Sequence, residues 1–269
     1  METQPWRASL PNETWHAIFA LLPPPALLAA ALVSHQWHAL AARTLYAAIA
    51  IADSPLLPAP HKAARLAAAL AARPHLAAYP RRLSFRTHAH GAADALAAIL
   101  PLLRDLDALE LSTAPGRLDP ALLAGVRSLA LTSAPRAREL AALAAGKRPL
   151  AELDLGGVSV TPVLLRDVSR ALTRVRVLRV RLALRHTLHF ALSGIALLAA
   201  LTPVLGAFPL LIELDLSPTD VVGRAQPAEE HSLCATYARA CPALARVVFP
   251  SKMEWLFLSK EEIWVSKYL

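Results

Sequence analysis

Seven times between residues 80 and 249 the chain repeats one short pattern: an apolar residue, two variable positions, then apolar-x-apolar. The copies fall at 80–85, 106–111, 126–131, 150–155, 175–180, 211–216 and 244–249, with Pro80 as the first apolar residue of the first copy. Between the fourth residues of successive copies (Leu83, Leu109, Leu129, Leu153, Leu178, Leu214 and Val247) the intervals are 26, 20, 24, 25, 36 and 33. The alternating ending reads as a strand with one buried face. Ala/Leu-rich helical stretches lie between copies at 92–103, 136–145, 162–172, 195–205 and 229–240. One strand and one helix cannot bury their apolar faces alone, but stacked units can. The expected fold is α/β: over residues 79–250, a solenoid whose strands form one parallel sheet.

These units resemble degenerate leucine-rich repeats, which implies a right-handed solenoid. The first four intervals lie in or near that family's range of about 20–29 residues. The last two leave room for an extra helical turn and loop. The Asn or Cys that usually follows the strand is missing, with Ala114, Ala134 and Val158 in its place. Cys241-Pro242-x-Leu244 matches the family's helix-to-strand junction, which makes Cys241 a buried structural residue. Residues 251–269 carry Trp255, Phe257, Trp264 and Tyr268 and are read as a cap on the last unit, with a docking tail as the alternative.

Side chains alternate along a strand, so the residues between the buried pairs point to the opposite face. Those are Ser84, Glu110, Ala130, Asp154, Arg179, Asp215 and Val248, flanked on the same face by Arg82, Arg86, Glu152, Arg181 and Glu213. This face is a charge mosaic, and its charged members are the expected target-binding residues. The chain holds 28 Lys and Arg against 20 Asp and Glu, a formal charge of +8. A phosphate-tracking surface needs a continuous basic stripe. Acidic central strands interrupt one here, so a protein target is expected and nucleic acid is not.

Residues 10–51 read as three short helices. Pro11 and Glu13 suit a helix start, and Trp15, Ile18, Phe19 and Leu22 then share one face. Pro23, Pro24 and Pro25 end that helix, a second resumes at 26–32, and Ser34 can cap a third holding Trp37, Leu40, Thr44 and Leu45 on one face. About forty residues cannot bury so many large apolar groups by themselves, so a partner surface is expected. The run Leu10-Pro11-Asn12-Glu13, with Ile18-Phe19, Leu21-Leu22-Pro23, Leu27-Leu28, Val33-Ser34-His35-Gln36-Trp37 and Leu45-Tyr46, closely resembles an F-box of the fungal type. Degenerate leucine-rich repeats often follow that module. The resemblance implies that Leu10, Pro11, Ile18, Leu21, Leu22, Leu28, Val33 and Trp37 form or support a surface for a Skp-family adaptor and, through it, a cullin. Residues 1–9 are read as a flexible N-terminus, and 52–78 as a linker with a junction helix at 62–72.

The remaining features narrow the class. A chain of 269 residues with 55% hydrophobic and 18% charged residues has the apolar surface that a disordered polypeptide lacks. Cys234 and Cys241, seven apart on a helix, lie too far apart for a disulfide. Reduced thiols and a start without an apolar leader point to the cytoplasm or nucleus. Residues 190–211 carry no charge and are long enough for a membrane helix, but Gly194, Pro203, Gly206 and Pro209 favour a buried repeat helix. No nucleotide-binding or hydrolase motif occurs. The pairs His35/His38 and His186/His189 lack further ligands at zinc spacing. The expected function is non-catalytic, without cofactor or metal: the substrate receptor of a cullin–RING ubiquitin ligase. A scaffold outside any ligase and, more remotely, a membrane-anchored protein are the alternatives.

Overall fold

The computed structural model describes residues 10–112, 123, 125–146, 148–183, 194–220 and 226–268. The expectations for residues 1–9, Ala114, His186 and His189 fall outside that set.

Three helices open the chain: α1 (Asn12–Ala20), α2 (Pro24–Ala30) and α3 (His35–Ala47). Proline sets the first two starts. The Pro11 carbonyl accepts from the Thr14 and Trp15 N–H groups at 3.0 and 3.2 Å, and Pro24 opens α2 where no N–H is needed. Ser34 caps α3, its hydroxyl oxygen accepting from the Trp37 N–H at 3.2 Å. Phe19, Leu27, Ala30, Leu40 and Ala41 make a small core of their own. Trp15 and Trp37 close it, the Trp37 ring lying 4.8 Å from Trp15 and edge-on to Phe19 at 5.5 Å.

Helix α3 runs without a break into β1 (Ala48–Ala52), a strand that the sequence pattern does not announce. It is followed by α4 (Ala59–Ala72), within the stretch read as linker and starting three residues earlier than expected. All seven repeated elements then give strands: β2 (Arg82–Arg86), β3 (Ala108–Ser112), β4 (Ser128–Leu131), β5 (Glu152–Val160), β6 (Val177–Leu182), β7 (Glu213–Asp215) and β8 (Arg246–Val248). Between them lie α5 (Ala92–Ile99), α6 (Ala137–Ala145), α7 (Pro162–Ala171), α8 (Gly194–Ala199), α9 (Thr202–Leu205) and α10 (Pro227–Ala240). The single helix expected at 195–205 is two. Pro203 has no N–H and crowds the preceding turn, so the helix stops and restarts just before it.

Strands β1 to β8 are parallel and adjacent in chain order. The register is the one that stacks the repeat. Leu83, Leu109, Leu129, Leu153, Leu178, Leu214 and Val247 are partners across successive strands, forming one buried row. The first residue of every copy, Pro80 included, is buried as well. Leu70, Leu96, Ile99, Leu140, Leu165, Val168, Leu205 and Tyr237 reach the same core from the helices. Each fully buried Leu, Ile or Phe contributes roughly 1.5–3 kcal/mol of transfer free energy.

Within residues 79–250 the described strands are all parallel, as expected, and the sheet as a whole is mixed only because the segment after residue 250 joins it. Two further strands, β9 (Met253–Leu258) and β10 (Ile263–Tyr268), complete it as an antiparallel hairpin, giving ten strands in sequence order among the described residues. Only residues 249–252 separate β8 from β9, and a parallel return needs a crossover of about a dozen residues or more. Lys252, at φ 69°, makes the reversal, and its ammonium donates to the Ser217 carbonyl at 2.6 Å. The hairpin buries Met253, Trp255 and Trp264 against the last unit. The Trp255 indole N–H donates to Glu230 Oε2 at 3.1 Å, while Glu230 Oε1 has no hydrogen-bond partner among the described residues.

Candidate functional site

Two surfaces carry the residues singled out by sequence. The first belongs to the helical module. Among the described residues, six exposed large apolar side chains fall within residues 10–33, against seven in all the rest. They are Leu10 (40% exposed), Ile18 (37%), Leu21 (86%), Leu28 (60%), Leu32 (88%) and Val33 (64%). Pro11 is exposed at the head of α1, whereas Leu22 and Trp37 are half-buried and pack against the small core, where they support the surface from behind. Leu32, the most exposed of the six, is absent from the sequence-derived set. Its position four residues after Leu28, one helical turn on, was the available signal. An isolated exposed Leu is ordinary, but a concentration of them marks a binding surface.

The second surface is the sheet face away from the helices. Arg82, Arg86, Glu110, Glu152, Asp154, Arg179, Arg181, Glu213 and Asp215 are all exposed or half-exposed on it. Most are already paired with one another. Arg179 stands in register between Asp154 and Asp215, with its Nη1 3.4 Å from Asp154 Oδ2 and its Nε 3.2 Å from Asp215 Oδ2. Arg86 donates to Glu110 at 2.6 Å, and Arg181 pairs with Asp220. Arg246, which the sequence reading passed over, bridges Glu213 at 2.9 Å and Glu254 on β9. The Glu254 hydrogen bond, seconded by Glu213, lifts the guanidinium above its ordinary value. Asp154 and Asp215 also turn back on the chain, accepting from Gly156 N–H at 2.7 Å and Ser217 N–H at 2.8 Å. Arg82 and Glu152 have no described partner.

The face therefore has two halves. Over β5 to β8 it is a lattice of charges that, Glu152 apart, compensate one another. Over β1 to β4 it is a shallow depression of about 270 Å³, floored by Ala48, Ala50, Ser84, Ala108 and Ala130 and rimmed by Arg82 and Glu110. Val248, expected to point outward here, is buried. Strand β9 lies directly beside it, with Glu254 as its register partner.

Cys234 and Cys241 are buried free thiols. Burial, and then the Glu230 carboxylate, push the Cys234 thiol far above its ordinary value; burial also raises Cys241, whose Sγ donates to the Phe208 carbonyl at 3.1 Å. Thiols held this way are poor nucleophiles. Among the described residues, no group of three or more His, Cys, Asp or Glu could hold a metal ion. No helix among them is long and apolar enough to cross a membrane.

No curated protein matches the chain. Residues 8–52, from just before Leu10 to the end of β1, match the F-box-like family model. The module with its exposed apolar surface is therefore an F-box-like domain, of a class that typically binds Skp-type adaptors.

Proposed function

We propose that this chain is the substrate-recognition subunit of an SCF-type cullin–RING ubiquitin ligase. Its F-box-like domain, of the variant resembling fungal F-box proteins, binds a Skp-family adaptor and through it a cullin. The strand-and-helix array, read as degenerate leucine-rich repeats, holds a protein target on its open sheet face. The chain contributes no catalytic group, cofactor or metal. It raises the effective concentration of the target near a charged ubiquitin-conjugating enzyme. Neither nucleic acid nor a membrane is a partner, and two buried reduced thiols suit the cytoplasm or nucleus.

The observation that carries this reading is the crowd of exposed apolar side chains at Leu10, Ile18, Leu21, Leu28, Leu32 and Val33 within a domain of matching family. Such a surface is costly in water and stable when another polypeptide covers it. Leu10, Pro11, Ile18, Leu21, Leu28 and Val33 touch the adaptor, and Leu22 and Trp37 hold them in place. On the target side, Arg82, Arg86, Glu110, Glu152, Asp154, Arg179, Arg181, Glu213 and Asp215 line the contact face.

Co-expression with a Skp-family adaptor tests the first half. A stable complex is expected, and it should be lost on Leu10→Ala with Pro11→Ala. Undiminished binding would refute the assignment. Ubiquitylation of a co-purified client in the reconstituted ligase tests the second half. An adaptor complex that modifies no client would leave a scaffold outside the ligase.

A further inference from the structure

Every strand from β2 to β9 has a neighbour on both sides; β10 has only β9. Its outer edge therefore presents backbone N–H and C=O groups that no strand among the described residues meets. Natural edge strands are usually blunted by charges, proline or a bulge. Here Ile263-Trp264-Val265-Ser266-Lys267-Tyr268 has one lysine and no proline, and its register with β9 is unbroken from end to end. On the open face beside that edge, Leu258, Ile263 and Val265 are 41%, 46% and 42% exposed. Leu256 and Leu258 are the register partners of Val265 and Ile263, so the four side chains form two adjoining apolar pairs at the rim of the sheet. The opposite edge is different: β1 offers only Ala48, Ala50 and Ala52 on that face and joins the helical module directly.

We propose that β10 is a self-association edge: two copies of the chain pair β10 with β10 in antiparallel fashion about a two-fold axis, continuing one sheet through both molecules. Antiparallel pairing of a strand with itself is isologous, so whatever faces the axis must suit its own copy. Centred on Val265, this pairing does. Val265 meets Val265 of the other copy, Trp264 meets Ser266 on the helix side, and Ile263 meets Lys267 on the open side. The Lys267 ammonium of each copy then lies beside the turn that carries Glu261 and Glu262 in the other. Opposite charges approach twice and like charges do not, and cross-strand pairs of both kinds favour the match. A foreign strand would have to supply the same apolar residue and the same acidic turn, whereas the second copy already has them. The contact is small, so its affinity belongs to the weak, reversible class.

Sedimentation equilibrium of the full chain between about 1 and about 100 µM tests this. The mass should rise from 28.8 kDa toward twice that value. Val265→Lys places two ammonium groups face to face and should weaken association at least about tenfold with the melting temperature unchanged. Lys267→Glu should weaken it less, and adding Glu261→Lys and Glu262→Lys should restore it. Leu21→Asp, in the helical module, should leave it unaltered. The proposal falls if the chain stays monomeric throughout, if Val265→Lys associates like the parent, if the charge exchange restores nothing, or if Leu21→Asp abolishes the dimer.

Discussion

The helical module and the sheet array solve the same problem in opposite ways. The array has a long run of similar units, so each strand and helix buries its apolar stripe against the next, and a single core extends from Ile51 to Trp264. What it leaves on the open face of β2 to β8 is mainly charge, most of it paired across strands. The module has three helices and a five-residue core backed by half-buried Trp15, Leu22, Trp37 and Leu45, and six further large apolar side chains stay exposed to water. A small domain buries a lower fraction of its surface than a large one. The contrast teaches that apolar exposure at residues 10–33 is a consequence of size and sequence together, and that a covering partner is its natural remedy.

The largest expected effect lies in the array. Phe85 on β2 is fully buried. Phe85→Ala should cost about 3–5 kcal/mol of unfolding free energy by urea titration. A cost under about 1 kcal/mol would mean that the units pack loosely, and the contrast with the module would dissolve.

Next comes the reverse profile in the module. Leu21→Asp with Leu32→Asp should leave stability within about 0.5 kcal/mol, because both side chains are solvent-facing. The same pair should weaken adaptor binding by about 2–3 kcal/mol, roughly 100-fold, if either is an interface anchor. Calorimetric titration of the adaptor reads the second number and a melting curve the first. A large loss of stability with intact binding would invert the comparison.

How far these regions were legible in the sequence follows from what each depends on. The row from Leu83 to Val247 was readable because period-two alternation names a buried face and the same position of the recurring element names the register, even though the intervals run from 20 to 36 residues. Strand β1 was not, since Ala48-Ile49-Ala50-Ile51-Ala52 has only two large residues and follows a helix directly. The hairpin was read as a cap, but its direction depended on a four-residue reversal at 249–252 that no periodicity marks. On the open face, alternation put the charges on the correct side. It was silent on their partners, because Arg181 meets Asp220 from 39 residues away and Arg246 meets Glu213 from 33. Leu32 was missed because a helical spacing shows which residues share a face, and only packing shows whether that face is covered.

A smaller effect probes the paired charges. Arg179→Ala leaves Asp154 and Asp215 on β5 and β7 without their shared cation. Arg179 is about half exposed, so solvent screens the loss. The expected cost is about 0.5–1 kcal/mol at low salt, shrinking toward zero near 1 M, where the screening length falls to about 3 Å. A salt-independent cost would mean that the side chain packs rather than pairs.

The smallest effect tests the seam where the two regions meet. Asp53 follows β1 directly. Its carboxylate accepts from the Ala59 N–H at 2.8 Å at the start of α4, from the Thr87 hydroxyl at 2.9 Å and from the His88 N–H at 3.0 Å beyond β2. The Ala59 bond first, and then the His88 bond, hold this carboxyl below its ordinary 3.8. A folded-state value below the unfolded one means that the unfolded chain takes up the proton more readily. The stabilisation from Asp53 is then complete above about 3.8 and fades as pH falls through the depressed folded value. Wild type and Asp53→Ala should therefore differ in urea midpoint at pH 7, and the gap should narrow only on the acid side of that ordinary value. A gap that stayed constant down to about pH 2 would show that the seam is held by backbone shape, with the charge contributing nothing.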